Sequence, residues 1–224
     1  MLPENYYLSL YRLQDQVLHG IAVADQSFYL TGGTALSRCY LQHRFSDDLD
    51  FFVNRDSDFK KKTKAIVEHL RRQTDFTLQV ETADLDYLRA YAVVGATRLK
   101  LDFVNDVRFR YGQVQEHPMF ARVDNLRNIL SNKISALSRN STKDFVDIIF
   151  ICRALAFPWK DLVQEASEKD LWVNPIEISR LLDEFDLKRL DEIPWINSVD
   201  AEVFQQEQHK IARDILLGLE NKPA

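Results

Sequence analysis

Three separated groups of residues are suited to binding a phosphorylated ligand and a divalent cation. The first is the turn Gly32–Thr34, which follows the short apolar run SFYL. Glycines let a backbone approach a phosphate closely, and the N–H groups at the start of a helix attract anions. The second is the pair Asp48 and Asp50, and the third is Asp102, which shares its strand face with Lys100. Residues two apart on a strand point to the same side, so the paired carboxylates could share a hard cation.

The order and spacing of these groups carry more information than any one of them. A Gly-Gly turn is usually just a tight turn, and an acidic residue on a strand usually faces solvent. In this chain Asp48 follows Gly33 by fifteen residues, with room for a helix between them, and Asp102 lies on a later strand. If that strand lies beside residues 49–53, three carboxylates converge at one edge of a sheet. Such a cluster can hold Mg²⁺ with positions open for triphosphate oxygens.

Hydrophobic periodicity predicts the elements that would position these residues. A basic amphipathic helix follows the first acidic strand, and Gly95-Ala96 predicts the turn of a hairpin. The predicted strands are 27–30, 49–53, 76–82, 88–94 and 97–104, and the predicted helices between and before them are 6–24, 34–42 and 59–72.

The sequence changes character after about Gly112. Beyond it the pattern is helical, with predicted helices at 125–138 and 142–155, another that begins after Asn174, and a last one at 198–219. We therefore predict an α+β fold, in which a small mixed-sheet core of residues 1–112 is followed by a C-terminal helical bundle of residues 113–224.

Two runs resemble motifs of a known enzyme superfamily. Residues 32–36 (GGTAL) followed by residues 43–52 (HRFSDDLDFF) resemble motif I of the nucleotidyltransferases related to DNA polymerase β, and more closely that of the AbiEii/AbiGii toxin branch. Residues 133–147, with the pattern K…AL…R…KD…D, resemble the helical motif of the same branch. The resemblance extends over about residues 28–150. It implies that the sheet is a nucleotidyltransferase-like catalytic core and that the helical domain completes the nucleotide site.

The resemblance implies a role for each matching residue. Asp48, Asp50 and Asp102 would bind Mg²⁺ at a site that could hold two ions, and Asp102 could assist deprotonation of the attacking hydroxyl. Lys133 would be catalytic and would meet the triphosphate. The nucleotide would be bound by residues from both motifs, which are Gly32, Gly33, Thr34, Arg44, Ser46, Lys133, Arg139 and Asp144.

The resemblance also implies an activity, the transfer of an NMP from an NTP to an acceptor hydroxyl with release of pyrophosphate. The acceptor would be RNA, such as a tRNA end. The outcome would be growth inhibition in a toxin–antitoxin or abortive-infection setting, with a cognate antitoxin as a partner. Two alternatives stay open. One is a domain that binds nucleotide or a partner protein without turnover, and the other is a nucleotidyltransferase that modifies a protein or a small molecule.

The helical motif and the basic helix also have structural interpretations. By charge alone, Lys143 and Asp147 form an i,i+4 pair, and Asp144 is an acidic residue in a first helical turn. The basic run at residues 60–64 (KKKTK) is typical of a solvated helix face. Its place directly after the acidic strand also suggests a surface for an RNA backbone.

Charge does not exclude an RNA partner. The 224 residues carry 29 Lys and Arg against 34 Asp and Glu, a net charge of −5. Residues 1–110 carry 15 side chains of each sign, and residues 158–224 carry 8 basic and 15 acidic side chains. The acidic excess therefore lies in the last part of the chain, outside the motifs.

Cysteine use and hydropathy indicate a compartment. Cys39 and Cys152 lie in apolar segments, which favours buried free thiols over a disulfide framework. The first residues lack the pattern of a secretory signal. The longest apolar stretch, residues 145–157, is interrupted by charges and is too short for a bilayer. We expect a cytoplasmic protein with no membrane partner.

Overall fold

The computed structural model describes residues 4–223, which form two compact units. The first unit holds the described residues up to Cys39 together with Phe45–Asp124. The second holds Tyr40–Arg44 together with the described residues from Asn125 onward. The chain therefore enters the second unit briefly and returns to the first before β2 begins. Within the described part of the chain, no helix is long and apolar enough to cross a membrane.

A mixed sheet of seven strands forms the first unit. Its strands are β1 (Tyr29–Thr31), β2 (Asp48–Asn54), β3 (Thr77–Ala83), β4 (Tyr87–Val94), β5 (Thr97–Asp106), β6 (Gln115–His117) and β7 (Phe120–Val123). They lie in the order β3-β4-β5-β2-β1-β7-β6. β2 is parallel to β5 and β1 is parallel to β7, whereas the other neighbours are antiparallel. The sheet therefore joins strands that are distant in the sequence at its centre.

The helices of the first unit lie before and between its first strands. They are α1 (Glu4–Ala24), the short α2 (Gly32–Thr34), which continues as a π-helix (Ala35–Leu41), and α3 (Phe59–Arg71). α1 contacts α3, β5 and β7. Every second residue of β2 and the central apolar residues of β5 are buried, including Phe51 and Phe103, whose rings stack with centroids 5.0 Å apart. The polar residues between them are left on the opposite side of the sheet.

The second unit is helical. It contains α4 (Leu126–Ala136), α5 (Thr142–Ala154), α6 (Trp159–Ser167), α7 (Pro175–Asp183), α8 (Ala201–Leu217), two 3₁₀ turns (Leu137–Arg139 and Leu187–Glu192) and the short paired strands β8 (Phe157–Pro158) and β9 (Glu220–Asn221). Asn125, Asn174 and Asp200 begin α4, α7 and α8 by accepting hydrogen bonds from backbone N–H groups. The predicted α+β fold, a mixed sheet followed by a helical bundle, is confirmed.

Local signals predicted most of these elements correctly. The basic helix is present as α3, and β4 and β5 form the predicted hairpin, with Val94 opposite Thr97. Two differences have physical causes. The helix after the Gly-Gly turn begins at Gly32 and is mostly π-helical, which apolar spacing does not distinguish from an α-helix. β6 and β7 have three and four residues and lack the alternation that marks a strand.

The sheet extends beyond the point where the sequence changes character. β7 ends at Val123, and the compact units divide between Asp124 and Asn125. The division into domains 1–112 and 113–224 stays a prediction.

Candidate functional site

One face of the sheet carries the acidic residues singled out in the sequence. In the parallel pairing of β2 with β5, Asp48 lies opposite Lys100 and Asp50 lies opposite Asp102. The apolar residues that alternate with them are buried on the other face. β5 does lie beside β2, so the three carboxylates share one face, and their roles in binding stay predictions.

Lys100 lies between two of these carboxylates. Its Nζ is 2.6 Å from Oδ2 of Asp48 and 3.5 Å from Oδ2 of Asp102. Burial lowers the pKa of the Lys100 ammonium, but the hydrogen bond to Asp48 and the charges of Asp48, Asp50 and Asp102 together raise it above its ordinary value. Lys100 therefore stays charged and balances part of the negative charge of this face.

Asp102 accepts hydrogen bonds from two side chains of the neighbouring strand β4. Arg89 donates to it twice, from Nε to Oδ1 at 2.7 Å and from Nη2 to Oδ2 at 2.9 Å, and the Tyr87 hydroxyl donates to Oδ1 at 2.9 Å. Burial raises the pKa of Asp102, but these bonds and the charge of Lys100 outweigh it, so the pKa is lowered. Burial and the bond to Asp102 raise the pKa of Tyr87 to about 12.

The Gly-Gly turn is fitted closely against β2. Gly32 has a φ of 69°, in the left-handed region, and a Cβ at this position would overlap Oδ2 of Asp50. Both facts favour glycine at this position. Gly33 and Thr34 are buried, and the Thr34 hydroxyl donates to the backbone oxygen of Asp48. The predicted phosphate-binding turn is thus fixed to the strand that carries the predicted metal ligands.

Ser46 lies in the segment that leads into β2. It is buried, its backbone oxygen accepts a hydrogen bond of 3.0 Å from Nε2 of Gln14, and its N–H donates to Oη of Tyr11 at 3.2 Å. These contacts hold the segment against α1. The place of Ser46 beside a triphosphate stays a prediction.

The carboxylates have the chemistry of a magnesium site, but cationic side chains already bind them. Carboxylate oxygens on one face are ligands that Mg²⁺ accepts. Among residues 4–223, however, no group of three or more acidic, histidine or cysteine side chains is arranged as a metal site. Two of the three carboxylates are held by cations, since Lys100 lies against Asp48 and Arg89 forms two bonds to Asp102. Carboxylate oxygens are donors that Mg²⁺ accepts, and the binding of Mg²⁺ at this face stays a prediction.

A second cluster lies in the helical unit and converges on Asp147. Arg44 donates from Nε to Oδ1 and from Nη2 to Oδ2, both at 2.8 Å. Nζ of Lys133 is 2.8 Å from Oδ2, and Nε2 of His43 is 2.9 Å from Oδ1. Because a carboxylate can only accept, Nε2 of His43 carries the hydrogen. The side chain of Asp147 is fully buried and that of Arg44 is 1% exposed.

Burial and charge act in opposite directions on this cluster. Burial raises the pKa of Asp147, but Arg44 and Lys133 outweigh it and hold the pKa well below its ordinary value. Burial lowers the pKa of Lys133, but Asp147 and Asp144 raise it overall. For His43 burial prevails over the bond to Asp147, so its pKa is lowered and the ring is neutral.

The remaining predicted residues of the helical motif differ in exposure. Nζ of Lys133 is 2.6 Å from Oδ1 of Asp144, in the first turn of α5. Lys133, Asp144 and Arg44 are thus joined directly or through Asp147. Arg139 ends a 3₁₀ turn and is exposed, and none of its described contacts is an ion pair with this cluster. The nucleotide-binding roles of Arg44, Arg139 and Asp144 stay predictions.

Sequence reasoning missed or underrated several residues of these clusters. Arg89 could have been found by counting, since a hairpin turn at Gly95-Ala96 pairs position 89 with position 102. Asp147 lies three residues after Asp144, on the same side of a helix, which is a weak signal. His43 had no local signal, because its partner Asp147 is 104 residues away.

Comparison with known proteins gives one family. The model of the family described as nucleotidyl transferase AbiEii toxin, type IV TA system, matches residues 17–220. A comparison with curated proteins finds no match.

Solved structures share the fold. A candidate nucleotidyltransferase from H. pylori superposes with a TM-score of 0.65 at 18% identity, covering 97% of each chain. JHP933 from Helicobacter pylori superposes with a TM-score of 0.59 at 18% identity, covering 98% of this chain and 95% of that one. MenT4, nucleotidyltransferase toxin Rv2826c from Mycobacterium tuberculosis H37Rv, gives 0.65 at 14% identity, covering 94% and 84%. At these identities the likeness concerns the fold alone.

Proposed function

Because the chain belongs to the AbiEii family of nucleotidyl transferase toxins of type IV toxin–antitoxin systems, we propose that it transfers an NMP from an NTP to a hydroxyl of RNA, such as a tRNA end. By that membership it is a nucleotidyltransferase toxin with an antitoxin as its counterpart. The metal, the NTP and the RNA acceptor are the content of the proposal. One observation carries it, which is that the pairing of β2 with β5 places Asp48, Asp50 and Asp102 on one face beside Gly32.

The reaction needs positioning and charge more than covalent chemistry. The oxygen of the acceptor hydroxyl forms a bond to the α-phosphorus of the NTP. The bond breaks between that phosphorus and the oxygen that bridges it to the β-phosphorus. Pyrophosphate leaves with the electron pair, and the hydroxyl proton passes to water or a base. Magnesium, when bound, neutralises charge on the phosphate oxygens. Asp48, Asp50 and Asp102 are the residues that would hold it.

The hydrogen bonds of Asp102 bear on its role. A general base works best when its pKa is near the working pH, whereas the pKa of Asp102 is lowered. A carboxylate in this state is a weak proton acceptor. We therefore propose that Asp102 acts mainly through its charge, by completing the acidic face and orienting Lys100 and Arg89, and that the proton leaves to solvent.

Lys133 has the chemistry to meet a triphosphate. An ammonium group has three N–H donors. Two of the directions around Nζ are taken by Asp144 and Asp147, at 2.6 and 2.8 Å. The third donor can serve a phosphate oxygen, and the side chain is 12% exposed. Its raised pKa keeps the charge present at neutral pH. We propose that Asp144 and Asp147 aim Lys133, and that Arg44 holds Asp147 in place.

The direct test is a transfer assay. The purified protein is incubated with Mg²⁺, each labelled NTP in turn and total tRNA, and label in RNA is measured. We expect one or more NTPs to label the RNA, Asp48→Asn to abolish labelling, and Asp75→Asn, a change of the same kind at an exposed position, to leave it intact. If no NTP labels RNA, or if Asp48→Asn and the wild type label it equally, the proposal fails.

A second candidate is favoured by the ion pairs of Asp48 and Asp102, since these could make the site one that binds nucleotide without turnover. The same protein then shows stabilisation against heat by NTP with Mg²⁺ and no label in RNA. Label in a protein or a small-molecule acceptor would instead retain the enzyme and change its substrate.

A further inference from the structure

Lys100 occupies the place of a cation in the acidic face. We propose that the Lys100 ammonium is a built-in counter-ion of this site, which a divalent cation must displace before it can bind. The inference rests on the proposed function, because it concerns the metal of that reaction. It assigns to Lys100 a role in setting metal affinity that its place in a strand does not by itself suggest.

The contacts of Lys100 make it a competitor for the metal. Its Nζ lies 2.6 Å from Oδ2 of Asp48 and 3.5 Å from Oδ2 of Asp102, so one ammonium is shared by carboxylates on two strands. A magnesium ion binds carboxylate oxygens at about 2.1 Å. A metal ion bound to Oδ2 of Asp48 would therefore lie against a positive charge that contacts the same oxygen. Two positive charges that close repel each other strongly in a partly buried site, so a metal ion on that oxygen drives the ammonium away.

The strand register keeps Lys100 close to the carboxylates that the metal would bind. Lys100 is paired with Asp48 across the parallel β2–β5 ladder, and Asp102 follows it by two residues on the same face. The side chain needs no special loop conformation to reach its partners. Any structure that keeps this pairing keeps the ammonium within reach of the carboxylates.

Lys100 is better suited to displacement than Arg89, which also forms an ion pair with Asp102. Arg89 holds Asp102 through two parallel bonds, a geometry that fixes a guanidinium in place. Lys100 is a single charge at the end of a flexible chain, and its side chain is 32% exposed. On displacement it can turn toward solvent or toward an anionic ligand. Metal alone should therefore bind weakly, and metal with a triphosphate should bind better, since the triphosphate gives the released ammonium a partner.

The test measures binding of Mn²⁺ alone, from the electron paramagnetic resonance signal of the free ion, with no nucleotide present. We expect Lys100→Met to bind Mn²⁺ at least about tenfold more tightly than the wild type, because a like charge is removed from the site. Lys160→Met is the matched control, since Lys160 is an exposed lysine on α6, and it should bind as the wild type does. Asp48→Asn combined with Lys100→Met should lose the gained affinity.

Lys100→Gln provides a second variant, in case the methionine disturbs the sheet, and circular dichroism verifies that each variant is folded. Equal or weaker Mn²⁺ binding by a folded Lys100 variant overturns the inference, and so does an absence of binding in both Lys100 variants. The transfer assay on the wild type decides the proposed function separately. If the wild type transfers label and the variants bind Mn²⁺ with unchanged affinity, the counter-ion role of Lys100 is refuted and the proposed function is retained. Tighter binding without transfer refutes the proposed reaction and leaves the counter-ion standing.

Discussion

Asp147 holds together the ion pairs of the helical unit, so its charge should matter more to stability than its size. Asp147→Asn keeps the shape of the side chain but leaves Arg44 and Lys133 without their shared carboxylate. Removal of one partner from a buried ion pair costs about 3–5 kcal/mol. We expect a loss of that order in the free energy of unfolding, measured by urea titration.

Asp144→Asn is the control for this prediction. Asp144 bonds the same lysine, but its side chain is 14% exposed whereas that of Asp147 is fully buried. It should lose less stability than Asp147→Asn. If the two variants are equally stable, Asp147 does not have the central place that its contacts indicate.

His43 should make stability depend on pH. Its pKa lies below the ordinary value of 6.5, and Nδ1 is buried without a hydrogen-bond partner among the described residues. As the pH falls below about 6.5, the unfolded chain takes up a proton at this position while the folded protein resists it. The free energy of unfolding should therefore decrease on acidification through this window, before carboxylates titrate.

The comparison that isolates His43 is His43→Gln, which keeps a donor for Asp147 but does not titrate. Unfolding is measured in urea at several pH values between about 7.5 and 5. The wild type should lose more stability over this range than the variant. Parallel pH curves for the two proteins would show that His43 is not the titrating group.

Gly32 should be needed for activity because of its positive φ and because of its close fit against Asp50. A matched change at Gly95 separates these two reasons. Both glycines have positive φ, 69° and 55°, but a Cβ at Gly32 overlaps Asp50, whereas a Cβ at Gly95 meets nothing within 4 Å. Gly95→Ala should cost about 1 kcal/mol from backbone strain and retain transfer. Gly32→Ala should lose at least about tenfold in transfer rate, because Asp50 is displaced as well. Equal activity of the two variants would exclude the fit between Gly32 and Asp50 as the cause.

At the scale of elements, α3 offers a surface for the RNA. Lys60, Lys61 and Lys64 are exposed on it, whereas Lys62 is 2.5 Å from Asp56 and is partly buried. Each phosphate contact contributes about 0.7 to the slope of log affinity against log salt for a single strand. Reversal of the three exposed charges should reduce that slope by about 1–2 if they contact RNA.

A reversal of exposed lysines elsewhere, Lys160 and Lys188, serves as the control and should leave the slope close to that of the wild type. RNA binding is measured at several salt concentrations for all three proteins. If the slope of log affinity against log salt is unchanged after the reversal on α3, this helix does not contact the RNA.

How far sequence predicts these elements depends on the range of each signal. The hairpin of β4 and β5 follows from a local turn at Gly95-Ala96, and α3 from its apolar spacing. From the sequence, the pairing of β2 with β5 could be stated only as a condition. No residue near either strand indicates which strand it pairs with. The bond from Arg44 to Asp147 joins residues 103 apart and depends on the entry of Tyr40–Arg44 into the helical unit. Such contacts are properties of the folded chain.

At the scale of the whole molecule, family membership and charge agree with the proposed reaction. The family match covers residues 17–220 and so includes both predicted motifs. The acidic excess lies in residues 158–224, which carry 8 basic and 15 acidic side chains. The first 157 residues carry 21 basic and 19 acidic side chains, so this part of the chain has no acidic excess to repel a polyanion.

The position of the label in the NTP distinguishes nucleotidyl transfer from other reactions of an NTP. The protein is incubated with Mg²⁺ and total tRNA, in parallel with an NTP labelled at the α-phosphate and with the same NTP labelled at the γ-phosphate. Nucleotidyl transfer predicts α-label in RNA, γ-label in free pyrophosphate, and neither product with Asp50→Asn. γ-Label in RNA, γ-label released as inorganic phosphate, or α-label in RNA that survives Asp50→Asn would contradict the account.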